Sequence, residues 1–289
     1  MIVDLVRVTT ADGVRLDGAL QTPAKGAARP LPIDVVLLIH GTGSNFYSSS
    51  LLEAVARRLI ELGTATLTVN TRGHDLLCTT ATQEGPRRLG AAHEVVSDCG
   101  HDLAAWVTLL QQRGYRRIGL LGHSLGAIKC IYALAGEDPP NVACLIAVSP
   151  AHLSYDHFCD SPRGDEFRST LGEAQRLVDD GRGETLMEVT FPLPYVVSAD
   201  GYLEKYGPGE RYNVLRQLEK MPCPTLVVFG SQEVQENIAF AKMPAAIETL
   251  AKANSRLKLA TIAGGDHVYS GVRKELIARL ETWLRKLQL

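Results

Sequence analysis

The feature that most restricts how this chain can fold is a series of short runs rich in Val, Ile and Leu. They cover residues 33–39, 65–69, 116–121, 142–148, 225–229 and 257–262. A strand with one wet face alternates apolar and polar residues, whereas a near-continuous run fits a strand buried on both faces of a parallel sheet. Between these runs, residues 51–62, 92–113, 126–135, 236–252 and 271–287 carry apolar side chains at helical spacing, as in Leu51, Val55, Leu59 and Leu62. Strand and helix in repeated alternation predict an α/β fold, a mostly parallel sheet with helices on both faces. The first 22 residues alternate instead around Ala11-Asp12-Gly13, which predicts an antiparallel hairpin and brings the sheet to eight strands.

One connection breaks the rhythm. About 75 residues separate the sixth predicted strand from the seventh, where a crossover of a dozen or so would do. The excess predicts a helical lid over 151–215 inserted into a core made of 1–150 and 216–289. That insertion holds eight of the chain's 17 aromatic residues, including Phe191 and Tyr195. For each alone, a place in the insertion's own core is the simpler expectation; together they suggest an apolar cover.

Composition narrows the function. With 30 Lys+Arg against 32 Asp+Glu the net charge is −2, so no basic excess is available for nucleic acid. No apolar run approaches the roughly 20 residues of a membrane helix. The N-terminus carries Asp4 where a signal peptide would be basic, and six cysteines are scattered without a C-x-x-C pair. A cytoplasmic protein with reduced thiols is expected.

The chemistry concentrates at Gly122-His123-Ser124-Leu125-Gly126, a G-x-S-x-G between a strand and a helix. A sharp strand-to-helix turn needs small residues two before and two after its apex, and it would expose the Ser124 hydroxyl above helix-terminal amides. Here the chain resembles the α/β-hydrolase family over nearly its full length. His40-Gly41-Thr42-Gly43 follows the third strand, where the family places its oxyanion loop. Asn70-Thr71-Arg72-Gly73-His74 follows the fourth, where many members have Asp-x-Arg-Gly-His, so Asn70 departs from the pattern.

The resemblance implies an esterase-like serine hydrolase (EC 3.1.1) that needs no cofactor or metal. Ser124 would be the nucleophile. His267, in Gly264-Gly265-Asp266-His267 after the eighth strand, would be its base, and Glu233, three residues after Gly230, the acid. Glu236 is a second candidate acid and Asp156 a third. Leu125 and Thr42 would supply the oxyanion N–H groups, with Gly43 an alternative. Expected substrate contacts are His40, Gly41, Gly43, His123, Phe191 and Tyr195, with His40 also supporting the oxyanion loop.

The expected partner is a small acyl substrate, and a homodimer is compatible with the chain. Carboxylesterase, thioesterase, aminopeptidase and C–C hydrolase chemistry stay open, as does a ligand-binding protein on the same scaffold. Two other readings fail on spacing. His93, Asp98, Cys99, His101 and Asp102 match no metal-ligand signature, and Gly41-x-Gly43 has Phe46 where a dinucleotide loop needs its third glycine.

Overall fold

A computed structural model describes residues 3–82 and 85–288. Met1 and Ile2 of the N-terminal stretch, Gln83, Glu84 and Leu289 lie outside the described residues. The elements run β1 (Val3–Thr9), β2 (Arg15–Gln21), β3 (Val35–Ile39), α1 (Ser50–Glu61), β4 (Ala65–Val69), β5 (Cys78–Thr82), β6 (Gly85–Leu89), α2 (Cys99–Gln112), β7 (Ile118–His123), α3 (Leu125–Ala135) and β8 (Cys144–Val148). Then come α4 (Tyr155–Cys159), α5 (Gly164–Asp179), β9 (Leu186–Val189), β10 (Tyr195–Ser198), α6 (Ala199–Tyr206), β11 (Thr225–Gly230), α7 (Ser231–Glu236), α8 (Met243–Ala253), β12 (Leu257–Ile262) and α9 (Arg273–Arg285).

Among the described residues the central sheet has eight strands in the order β1-β2-β4-β3-β7-β8-β11-β12. β1 and β2 form the expected hairpin, β2 runs antiparallel to β4, and the remaining pairs are parallel. Successive residues of the buried strands serve opposite faces. Val35, Leu37 and Ile39 pack with α2, α3 and α8, while Val36 and Leu38 pack with α1 and α9. This explains why these strands read as unbroken apolar runs.

The order places the site. From β3 the chain crosses to β4 on one side and later to β7 on the other, so the carboxyl ends of β3 and β7 form a switch point, with Ile39 paired to Gly122. Open α/β sheets bind ligands in such crevices. β8, β11 and β12 follow in sequence, so the loops leaving β3, β7, β8, β11 and β12 line up along one edge.

Three expectations need correction. The helix expected over 92–113 begins only at Cys99, after a hairpin of β5 and β6 whose polar, half-exposed residues give no strand pattern. The single helix expected over 236–252 is two, α7 and α8. Asn237 is extended and Pro244 begins a new helix, since proline cannot continue one from within. The insertion is not purely helical, because β9 and β10 pair antiparallel within it.

Most insertion aromatics are core. Phe158 packs edge-on against Phe167, Phe191 and Tyr206, and the Tyr202 hydroxyl donates to Phe191 O at 2.9 Å. Among the described residues no helix is long and apolar enough to cross a membrane.

Candidate functional site

Ser124 stands between β7 and α3 with φ 56° and ψ −124°, a conformation that costs an L-residue about 1–3 kcal/mol. It is held by its own N–H donating to Val148 O (2.9 Å) and by Ala127 N–H donating to its carbonyl (3.0 Å). The flanking glycines are required sterically. A Cβ on Gly122 would lie 2.3 Å from Gly126 O, and one on Gly126 would lie 2.4 Å from His40 O. The turn therefore packs backbone against backbone, both on itself and on the loop after β3.

His267 and Glu233 arrive from the neighbouring strands β12 and β11. Gly230 and Gly265 touch so closely that a Cβ on Gly230 would meet Gly265 O at 2.1 Å, and the amides of Gln232 and Glu233 both donate to that carbonyl. With the two loops clamped, His267 Nδ1 lies 2.8 Å from Glu233 Oε2. The other carboxylate oxygen accepts from Gly230 N–H (2.8 Å) and from the Ser149 hydroxyl (2.6 Å), which in turn accepts from Tyr269 Oη–H (2.9 Å). Glu233 is only 4% exposed, so these contacts replace its water. The other candidate acids stand elsewhere. Glu236 is exposed and accepts from the Gln232 side chain, and Asp156 lies on α4 in the insertion.

Two further histidines orient the loops. His40 is fully buried, and Thr71 N–H donates to its Nε2 at 3.1 Å. Its proton is therefore on Nδ1, which donates to Gly41 O at 2.8 Å. Burial, helped by the Lys129 charge, pulls its pKa down to about 3. His123 donates from Nε2 to His267 O at 2.8 Å and packs its ring 4.8 Å from that of His267. Burial likewise lowers its pKa to about 3. Both are neutral struts at working pH. His40 lines neither cavity, correcting its expected substrate contact.

Ser124 and His267 lie between two cavities. An inner, mostly apolar pocket of about 90 Å³ is lined by Thr42, Leu125, Ile128, Phe158, Lys205, Tyr206 and Phe240, among others. An outer cleft of about 350 Å³ is lined by Gly41, Thr42, His123 and the serines 48–50. Leu193 borders both. Phe191 and Tyr195 line neither. The Phe191 ring turns into the insertion's aromatic cluster, Tyr195 stands behind Lys205, and Pro192, Leu193, Phe158 and Tyr206 line the pocket in their place. Gly43 takes up a left-handed turn (φ 64°) outside both cavities. Among the turn and loop hydrogen bonds of the described residues, neither Thr42 N–H nor Leu125 N–H donates to a carbonyl. A larger groove of about 640 Å³ lies between β12 and α9 and includes none of these residues.

Asn70-Thr71-Arg72-Gly73-His74 is scaffolding for this edge. Asn70 Oδ1 accepts Phe46 N–H at 2.9 Å, so the amide still provides the acceptor a carboxylate would. Arg72 is buried among Asp102, Asp98 and Asp12, which accounts for two of the acids on the crowded 93–102 stretch. Lys129, fully buried on α3, pairs with Glu94 and donates to Thr71 Oγ1 at 2.8 Å. Burial alone would raise the Glu94 pKa, but the charges of Lys129 and Lys205 hold it lowered. Sequence reasoning missed Ser149, Tyr269, Glu94, Lys129 and Lys205. Ser149 and Tyr269 have no spacing signal, and Lys205 was hidden among the aromatic residues of the insertion.

The Alpha/beta hydrolase family model matches residues 36–279. No curated protein matches the chain by sequence. Similar solved structures include Est1E from Butyrivibrio proteoclasticus with ferulic acid bound (TM-score 0.68, 19% identity, covering 96% of this chain and 98% of that one). The Pyrococcus furiosus esterase PF2001 is similar too (0.65, 19%, 99% and 91%). So is a soluble variant of monoglyceride lipase from Saccharomyces cerevisiae in complex with a substrate analog (0.66, 17%, 98% and 96%). With the strand order, the turn at Ser124 and a family match from β3 into α9, the chain belongs to the alpha/beta hydrolase family.

Proposed function

We propose that the protein is a serine hydrolase that cleaves an ester or related acyl bond of a small substrate through an acyl-enzyme on Ser124. The observation that carries this reading is the 2.8 Å contact of His267 Nδ1 with the buried Glu233, opening onto the cavity that Ser124 also lines. A serine hydroxyl is a weak nucleophile and needs a base in a fixed tautomer. Glu233 holds the His267 proton on Nδ1 and leaves Nε2 free to take that of Ser124. The hydroxyl attacks the acyl carbon, and the N–H groups of Leu125 and Thr42 stabilise the resulting oxyanion. His267 protonates the leaving group and then activates water to release the acid.

The inner pocket suits a short acyl group and the outer cleft the leaving group, with the 151–215 insertion as a lid over both. The similar esterase and lipase structures support ester chemistry.

The test is labelling with a fluorophosphonate and hydrolysis of p-nitrophenyl esters of graded acyl length. Ser124 should be the labelled residue, short acyl chains should be preferred, and Ser124→Ala should remove both signals. An unlabelled Ser124, with hydrolysis equal to that of Ser124→Ala, would leave a ligand-binding protein on a hydrolase scaffold.

A further inference from the structure

Among the described residues lining the inner pocket, Lys205 is the one lysine or arginine, and it comes from α6 of the insertion. It is 4% exposed. An ammonium withdrawn from water to this degree normally has a carboxylate against it, because an unpaired buried charge costs several kcal/mol. Among the described residues no carboxylate lies within salt-bridge distance of it. Its described hydrogen bond is to the Tyr195 hydroxyl at 3.2 Å, and its Nζ lies 5.1 Å from the centre of that ring.

The two nearby acids are committed elsewhere. Glu94 pairs with Lys129 and acts on Lys205 only at longer range. Glu204 accepts from Val96 N–H and from the Tyr212 hydroxyl and lies 3.7 Å from Arg211. Glu94, Lys129 and Lys205 together hold two positive charges and one negative. An ammonium has three N–H donors, and one is used.

We infer that Lys205 is a specificity residue that binds a carboxylate carried by the acyl group, so that the preferred substrates are monoesters of short dicarboxylic acids. A carboxylate would supply the missing negative charge and accept the spare N–H groups, while the apolar walls formed by Ile128, Phe158 and Phe240 hold the chain between it and the ester. A neutral acyl group of equal length would fill the same space and leave the charge unpaired. Discrimination would therefore arise as much from that penalty as from attraction. The inference rests on the hydrolase reading for its ester, but the carboxylate site itself does not require turnover.

The test compares p-nitrophenyl monoesters of succinate and glutarate with the neutral butyrate and valerate esters, in the wild type, Lys205→Met and Lys205→Gln. Fluorophosphonate labelling of Ser124 runs in parallel, as does the melting temperature with free glutarate. In the wild type, kcat/KM should favour the acidic esters about ten- to a hundredfold, and glutarate should raise the melting temperature. Both effects should be lost in the two variants, while Ser124 is still labelled in each. The inference is overturned if Ser124 is labelled but the acidic esters are not preferred, or if the preference and the glutarate effect survive Lys205→Met. Loss of labelling in the wild type would instead overturn the hydrolase reading, and the glutarate shift would then decide the carboxylate site separately.

Discussion

Replacing Glu233 by glutamine changes one atom in the proposed triad, and the surroundings dictate how the amide must sit. Among the described residues, Oε1 receives two donors, the backbone N–H of Gly230 and the hydroxyl of Ser149, whereas Oε2 receives one, His267 Nδ1. Turning the amide nitrogen toward Gly230 would set donor against donor and leave a buried N–H unpaired, at about 1–3 kcal/mol. The amide oxygen therefore takes the Oε1 site and the NH₂ faces His267. That imidazole then moves its proton to Nε2 to accept at Nδ1, and it can no longer take the proton of Ser124.

A wrong-tautomer defect of this kind costs about 10⁴ in rate, equivalent to roughly 5 kcal/mol of transition-state stabilisation. Folding stability should change by no more than about 1 kcal/mol, because the shape persists, two hydrogen bonds are unchanged and the third is only reversed. Stopped-flow measurement of the p-nitrophenyl acetate burst gives the acylation rate, and thermal unfolding gives the stability. Glu236→Gln, altered on an exposed face of α7, should remain near the wild type. A Glu233→Gln protein within about tenfold of wild type, or a collapse confined to Glu236→Gln, would refute the assignment of the acid.

Two further outcomes follow from the geometry. Gly230→Ala would drive a Cβ into the Gly265 carbonyl, so it should cost at least about 1–3 kcal/mol in urea unfolding and separate His267 from Glu233. Full activity in that variant would mean that the two loops are not clamped. Glu204, on α6 and largely shielded from water, has its carboxyl pushed up to about 7 by burial. The unfolded chain releases this proton near pH 4.5 and the folded protein near 7. Stability from this group therefore falls as pH rises between those values, by about 3 kcal/mol at most, and stays lost above pH 7. Glu204→Gln should flatten that slope, gaining on the wild type between pH 5 and pH 8 in urea denaturation; parallel curves would contradict the shift.

Much of the architecture is legible in the chain because it depends on local patterns. Strands buried on both faces must be apolar throughout, and the turn at Ser124 must have Gly122 and Gly126, so both could be read without a third dimension. The errors fall where local pattern is weak or ambiguous. β5 and β6 have no apolar alternation because they cover little core, and the break before α8 hides in residues that would also suit one continuous helix. Phe191 and Tyr195 looked like substrate contacts because an aromatic residue in an insertion looks the same whether it packs the insertion's own core or faces a ligand.

By itself the sequence determined an eight-stranded α/β sheet, the strained serine at the end of one strand and a histidine after the last. Those features are set by residue type and spacing along a single segment. Only the tertiary structure decided which carboxylate meets His267, which side chains line the inner pocket, and that a buried lysine stands there with no carboxylate partner among the described residues. Those outcomes depend on β11 lying beside β12, on Gly230 resting against Gly265, and on the direction in which α6 presents Lys205. Each is a contact between segments far apart in the chain, with no trace in the spacing of either one.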